Sequence, residues 1–148
     1  MPKTIKPIAA ALATLFLAGA ASAQQRAMPM TELTVGMYRI EAEVAATQPN
    51  RELGLMHRKS MAPQHGMLFL FDNAARHCMW MRNTLLPLSV AFLDDQARII
   101  NVEEMQPQTD DNHCAAAPAR FALEMNAGWF KARGFGPGTT IAGIVKTR

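Results

Sequence analysis

Two His-Cys pairs carry the side chains best suited to metal or redox chemistry. They are His77-Cys78 and His113-Cys114, and the chain has two cysteines in all. Thiolate and imidazole groups bind zinc or copper, whereas two cysteines in an exported protein commonly form a disulfide. Neighbours on a strand point to opposite faces, so all four side chains converge only if a bulge intervenes. The sequence favours a Cys78–Cys114 disulfide, worth about 3–4 kcal/mol in the chain-entropy model, and leaves a metal site and free thiols as alternatives.

An aromatic and polar segment close to the first pair predicts a binding site. Trp80 is followed by Asn83 and Thr84. If Trp80 faces a cleft, its indole with Arg58, Asn83, Thr84 and Glu124 would bind a small polar ligand, such as a sugar, a peptide end or an amide. The structural alternative is that Asn83 and Thr84 cap a turn, Trp80 lies in the core, and Arg58 pairs with Glu124.

No standard catalytic motif occurs in the sequence. G-x-S-x-G, C-x-x-C, H-E-x-x-H and the phosphate loop are all missing. Asp94-Asp95 and Asp110-Asp111 are adjacent acids, which are usually solvated in turns, and a glycosidase needs two acids across a cleft. The sequence therefore names no reaction, and an enzyme of unidentified chemistry stays an alternative.

The first 23 residues have the layout of a secretory signal. Lys3 and Lys6 precede an apolar run at 8–18, and Ala21-Ser22-Ala23 is a small-residue cleavage site. The apolar run is too short to span a bilayer, and no cysteine that could carry a lipid follows it directly. We expect cleavage after Ala23, no membrane anchor afterwards, and a periplasmic or secreted protein.

The charge of the chain gives no sign of nucleic-acid binding. Fifteen Lys and Arg face 12 Asp and Glu, a net of +3. Loss of Lys3 and Lys6 with the signal leaves 13 against 12, a net of +1. No run of five basic residues occurs, so the electrostatic footprint of a nucleic-acid-binding protein is missing.

The hydrophobic pattern of the rest predicts about seven strands and two short helices. The alternating 37–44 indicates a half-exposed strand, and the continuous apolar 67–71 indicates one buried on both faces. Further strands are expected at 77–82, 88–93, 98–104, 120–125 and 139–145, helices at 50–57 and 127–133, and a long irregular loop at 105–118. We therefore expect a mainly β (α+β) domain, an antiparallel open barrel or sandwich, over 37–148, preceded by a tail at 24–36.

Several of these segments together resemble the domain-of-unknown-function 192 family of small, often exported prokaryotic proteins. The matching pieces, in order, are Gly54-Leu55-Met56 with Arg58, Gly66 to Phe69 with Phe71, Trp80 to Thr84, Pro87-Leu88, and Leu123-Glu124 with Ala127-Gly128 and Gly138. The resemblance implies a compact β-rich fold and no established activity. After Pro87-Leu88 the family commonly has an aspartate, whereas this chain has Ser89. If that carboxylate coordinates a ligand in relatives, this protein lacks the coordinating group.

These observations lead to one expected function and two alternatives. We expect a non-enzymatic binding domain for a small polar ligand or an envelope protein, with no cofactor. The first alternative is a copper or zinc handling protein that uses His77, Cys78, His113 and Cys114. The second is the enzyme of unidentified chemistry.

Overall fold

The protein, described here over residues 27–144 by a computed structural model, is built on one mixed six-stranded sheet and a two-stranded ribbon. The sheet has the order β1-β2-β3-β8-β5-β6, and β4 pairs with β7 in the ribbon. The mainly β class with two short helices is confirmed, and the predicted signal at 1–23 lies outside the described residues. The elements are β1 (Met30–Val35), β2 (Tyr38–Ala45), α1 (Gln48–Leu53), β3 (His65–Ala75), β4 (Cys78–Met79), β5 (Leu88–Leu93), β6 (Ile99–Met105), β7 (His113–Cys114), β8 (Ala119–Asn126) and α2 (Trp129–Ala132).

The sheet begins earlier than the sequence predicted. Strand β1 lies inside the segment 24–36 that was expected to be a tail, and it pairs antiparallel with β2 through a hairpin at Gly36. Leu33 and Val35 are buried on one face of β1, so the hairpin contributes two core side chains. The domain boundary at residue 37 was therefore set too late.

Helix α1 belongs to a crossover that makes β2 and β3 parallel. Thr47 caps the helix by accepting a hydrogen bond from the Asn50 N–H at 3.3 Å, and a proline occupies the first turn. The helix ends at Gly54, whose φ of 48° favours glycine. It is thus shorter than the predicted 50–57. The β2–β3 pair is parallel, whereas the other strand pairs of the described residues are antiparallel.

The two faces of the sheet are covered by different segments. On one, which we call the closed face, β-strand side chains pack against α2 and the C-terminal segment, with Leu68, Leu93, Leu123, Trp129, Phe130 and Ile141 buried. On the other, which we call the cavity face, they pack against the loops after α1 and β4, with Leu55, Met67, Phe69, Met81, Leu88 and Phe92 buried. The apolar run in β3 supplies side chains to both faces, as the sequence predicted.

Two predicted strands are much shorter than expected. Only Cys78 and Met79 of the predicted strand 77–82 pair, and their partners are in the 105–118 segment. The predicted strand 139–145 contributes isolated bridges at Thr140 and Ala142. Neither helix of residues 27–144 is long and apolar enough to cross a membrane.

Candidate functional site

The Trp80–Thr84 segment forms a turn that is tied to the loop after α1. Asn83 has a left-handed backbone, with φ of 54°, which asparagine tolerates better than most residues. Its carbonyl accepts a hydrogen bond from the His57 N–H at 2.9 Å. The Thr84 N–H donates to the carbonyl of the fully buried Met81 at 3.1 Å. Asn83 therefore shapes this turn through its backbone.

A cavity of about 390 Å³ lies between this turn, α1 and the end of β3. Its walls are largely apolar and aromatic, and they include Leu55, Phe69, Phe71, Met79 and Trp80. Small-molecule sites are commonly about 300–1,000 Å³, with apolar walls and a few fixed polar groups. By size and lining, the cavity suits a small organic molecule.

Glu124 is the most deeply buried ionisable group of the cavity lining, with 4% of its surface exposed. It lies in the middle of β8, opposite Met67 on β3 and Val90 on β5. Within residues 27–144 no hydrogen bond or ion pair to its carboxyl is found, and burial alone shifts its pKa. Burial raises the pKa of Glu124 to about 8, so the carboxyl is mostly protonated at neutral pH.

Two glycines shape the surroundings of Glu124. A Cβ on Gly66 would meet the Glu124 carbonyl and the Met125 sulfur, so glycine allows β3 to lie close to β8 here. Gly54 has a φ of 48°, and a Cβ placed on it would lie 3.5 Å from the Phe69 ring.

Trp80 lies at the rim of the cavity and not in the core. It is 46% exposed, although its indole also lines the cavity. The guanidinium carbon of Arg82 lies 4.2 Å from the centre of the ring, and Arg82 Nε donates to Asp110 at 2.9 Å. The alternative that Trp80 is a core residue was therefore wrong.

Arg58 does not pair with Glu124. Its two terminal nitrogens donate to the two carboxylate oxygens of Glu43 on β2, at 2.8 and 2.7 Å. This pair ties the loop after α1 to the sheet. Neither Arg58 nor Asn83 lines the cavity, whereas Trp80, Thr84 and Glu124 do. The structure brings together three of the five predicted ligand-binding residues.

The predicted disulfide between Cys78 and Cys114 is present, with the Cα atoms 4.0 Å apart. Cys78 and His77 line the cavity, and the His77 ring stacks on Phe71 at 3.8 Å between centres. Because the cysteines are joined to each other, they are not thiolate ligands in this state. Across 27–144 no group of three or more His, Cys, Asp or Glu side chains is placed to hold a metal ion. Copper or zinc binding by His77, Cys78, His113 and Cys114 stays a prediction.

The family of the chain follows from a comparison with known proteins. A family model described as "uncharacterized ACR", DUF192, matches residues 31–143. The chain belongs to the DUF192 family. The resemblance of the ordered motifs is thereby confirmed. No curated protein matches the chain.

Two solved structures share the fold of this DUF192 protein. One, from Sinorhizobium meliloti 1021, bears the description "putative transcription regulator"; it is 32% identical, with a TM-score of 0.76, over 79% of this chain and 95% of the other. The second, a protein of unknown function from Novosphingobium aromaticivorans DSM 12444, is 30% identical, with a TM-score of 0.73, over 90% of this chain and 93% of the other.

Ser89, singled out in the sequence by the family resemblance, is buried and does not line the cavity. The buried hydroxyl lies 2.7 Å from both carboxylate oxygens of Glu104 and accepts from the Gly128 N–H at 2.7 Å. It therefore connects β5, β6 and the start of α2.

Sequence reasoning missed the charged rim of the cavity in this DUF192 protein. Arg51 of α1 donates to the Leu70 carbonyl at 2.9 Å, to the Ala46 carbonyl at 2.6 Å and to Asp72 at 2.8 Å. Glu52 beside it also lines the cavity. The one available signal was Asp72, an acid placed directly after the buried run of β3, but its partner lies 21 residues away in the sequence.

Proposed function

We propose that this DUF192 protein is an exported, non-enzymatic domain that binds a small polar ligand in the cavity beside Glu124. The observation that carries the proposal is the buried carboxyl of Glu124, which opens into a cavity without a protein partner. Burial of a polar group without a hydrogen bond costs free energy, so such groups are rare unless they serve a function. A ligand that supplies the missing partner offsets this cost.

The cavity lining supplies distinct roles for its polar and apolar residues. Glu124 provides the fixed hydrogen-bonding group, and Thr84, with a hydroxyl that donates to the Arg82 carbonyl at 3.2 Å, keeps an oxygen free to accept. Phe69 and Trp80 provide ring surface for the ligand body. Arg58 and Asn83 act on the shape of the walls and not on the ligand.

Export is the part of the proposal that the N-terminal sequence supports. The layout of residues 1–23 is that of a cleaved signal, and a disulfide persists in oxidising compartments. N-terminal sequencing of the protein from the periplasm tests this. We expect a chain that starts at Gln24, and an intact Met1 would contradict export.

Ligand binding in the cavity is tested with a variant whose larger side chain fills it. Met56 lines the cavity and Met37 is 88% exposed in the β1–β2 turn, so Met56→Trp and Met37→Trp are chemically matched variants. A library of neutral, cationic and anionic small compounds is screened by thermal shift, because a ligand that binds only the folded state raises the melting temperature. At 100 times its Kd a ligand adds about 2.7 kcal/mol.

We expect compounds that stabilise the wild type and Met37→Trp but not Met56→Trp. Stabilisation that persists in Met56→Trp would place binding elsewhere on the molecule. A library without any stabilising compound, for a protein that is folded and monodisperse, would overturn the proposed function.

Catalysis is the second candidate, and Glu124 is the observation that favours it. A carboxylic acid with a pKa near neutral pH suits general acid-base catalysis. Mass spectrometry of a stabilising compound after incubation discriminates between the two. A ligand recovered unchanged supports binding, whereas conversion by the wild type and not by Glu124→Gln shows an enzyme.

A macromolecular partner is less well supported than a small ligand. Trp80 at the cavity rim and Leu85 are exposed apolar side chains that would suit an envelope protein. The description of the S. meliloti protein points instead to nucleic acid, but this chain has no run of five basic residues.

A further inference from the structure

The charges that line the cavity are unbalanced. Its carboxyl groups belong to Glu52, Asp72 and Glu124, and one guanidinium, that of Arg51, faces them. Arg51 already binds Asp72 at 2.8 Å. His77 also lines the cavity, and its Nε2 donates a hydrogen bond to the Asn73 carbonyl at 2.9 Å. Glu52 and Glu124 are therefore left without a cationic partner in the lining.

Glu124 is the acid that a bound group would meet inside the cavity. Glu52 is exposed and accepts a hydrogen bond from Gln48 at 2.9 Å, so water and its neighbour already serve it. The strand neighbours of Glu124, Met67 and Val90, are apolar. Among residues 27–144, no side chain donates a hydrogen bond to this carboxyl and no cation pairs with it.

The walls beside Glu124 suit the body of an organic cation. Phe69, Phe71 and Trp80 present aromatic surface, and Leu55 and Met79 present aliphatic surface. Aromatic rings attract ammonium groups through their electron-rich faces. A carboxyl inside an aromatic and aliphatic cavity thus matches an ammonium group on an apolar skeleton better than it matches a carboxylate or phosphate.

We propose that the ligand is a small organic amine, whose ammonium group binds the Glu124 carboxylate while its carbon skeleton packs against Leu55, Phe69 and Trp80. This inference rests on the proposed function and names the ligand class for the same cavity. A peptide amino terminus belongs to this class when its following side chain is apolar.

Binding of an amine carries a proton balance that can be measured. In the empty cavity at pH 7 the carboxyl is neutral, because burial raises its pKa to about 8. The ammonium group keeps its own protons and stabilises the carboxylate, so the carboxyl proton leaves to solvent. Amine affinity should therefore rise about tenfold for each pH unit up to about 8 and then level off.

The experiment uses matched triplets of probes on the full mature chain. Propyl, hexyl, benzyl and 2-phenylethyl skeletons are each tested as the amine, the alcohol and the carboxylate by isothermal titration calorimetry. Phosphate and Tris buffers, which differ in ionisation enthalpy, report the protons released. Glu124→Gln is compared with Glu32→Gln, an acid that lies on strand β1 and is 59% exposed.

We expect the best amine to bind at least about tenfold more tightly than its alcohol at pH 8.5, a difference of the size of one pKa unit. It should release close to one proton at pH 6.5 and almost none at pH 9. Glu124→Gln should lose both the preference and the proton release, and Glu32→Gln should keep both. The pH profile of the wild type tests the inference even if Glu124→Gln does not fold.

Two negative outcomes have different meanings. If alcohols or carboxylates bind as tightly as amines, and Met56→Trp abolishes their binding, the amine inference is overturned and the cavity function stands. If no probe and no compound of the wider library binds, the proposed function falls as well.

Discussion

Strand β8 contributes side chains to both faces of the sheet, and the two sets of side chains differ in character. Phe121, Leu123 and Met125 point to the closed face and are buried in a continuous apolar cluster. Glu124, one position along, points to the cavity face and has an ionisable group where its neighbours have hydrocarbon. The closed face is filled by apolar packing, whereas the cavity face keeps an open volume beside a carboxyl that has no partner within residues 27–144.

The closed face is also held by a cluster of three aromatic rings, whereas the aromatic contacts of the cavity face are the stack of His77 on Phe71 and the packing of Arg82 on Trp80. Tyr38, Trp129 and Phe135 contact each other at 5.9 Å between ring centres, and the Arg133 guanidinium lies 4.4 Å from the Trp129 ring. Aromatic clusters of this kind fix the geometry of a core. Both faces bury an apolar cluster, and the comparison teaches that they differ in the open volume beside Glu124, which the cavity face retains.

The largest effect is expected from the closed face. Leu123→Ala removes buried methyl groups from a filled core, so the free energy of unfolding should fall by about 2–5 kcal/mol. Urea denaturation measures this. The compounds that bind the cavity should keep their affinities, since Leu123 is on the opposite face. A decrease of less than about 1 kcal/mol in the free energy of unfolding would show that the closed face is not tightly packed.

The disulfide is the corresponding support on the cavity face. Cys78→Ser with Cys114→Ser should cost about 2–4 kcal/mol, because the unfolded chain gains the freedom of a 36-residue loop. Cys78 lines the cavity, so ligand affinity should fall too. Chemical denaturation and calorimetry of the double variant test both statements, and unchanged affinity would show that the ribbon does not shape the site.

Glu124→Gln tests whether the buried carboxyl of the cavity face makes the stability of the protein depend on pH. The folded pKa of about 8 lies above the ordinary glutamate value, so the native state keeps a proton that the unfolded state loses. Stability of the wild type should therefore fall as pH rises from about 5 to about 8, on the order of 2 kcal/mol between pH 6 and 8, and then level off. Glu124→Gln should remove this slope and be the more stable protein at pH 9. Parallel slopes in the two proteins would contradict burial of the acid.

The smallest effect is expected at Arg58. Its pairing with Glu43 is bidentate, but the Arg58 side chain is 38% exposed, so solvent screens the pair and Arg58→Ala should cost less than about 1 kcal/mol. Ligand affinity should change little. A double-mutant cycle with Glu43→Ala measures the pair directly, and a loss of binding without a loss of stability would return Arg58 to the site.

The sequence predicted the parts of the molecule that depend on local pattern. The continuous apolar run in β3 and the turn chemistry of Asn83 gave the buried strand and the turn, and the two cysteines gave the disulfide. Contacts between residues that are far apart in the sequence could not be predicted from it. The pairing of Arg58 with Glu43 rather than Glu124, and the exposure of Trp80, depend on how the loop after α1 folds over the sheet, which no periodicity encodes. The β1 hairpin was missed because its short apolar alternation follows a polar segment.

The sequence predicted several residues of the candidate site but not the shape of the cavity. Trp80, Thr84 and Glu124 were selected from one segment and from a family resemblance, and the structure places them around one cavity. The decisive property of Glu124, a buried carboxyl without a partner, arises from the neighbouring strands and is invisible in a sequence where the residue looks like any acid in a strand.

The most direct test of the account is the titration of the Glu124 carboxyl itself. Carbon-13 NMR of protein labelled at the glutamate side-chain carboxyl, with Glu124→Gln to assign the resonance, reports its pKa. The account predicts a midpoint near 8 in the free protein and a midpoint well below 7 when an amine that binds the cavity is present at saturation. A midpoint near the ordinary glutamate value of about 4.3 in the free protein would show a solvated or paired carboxyl and contradict the central claim.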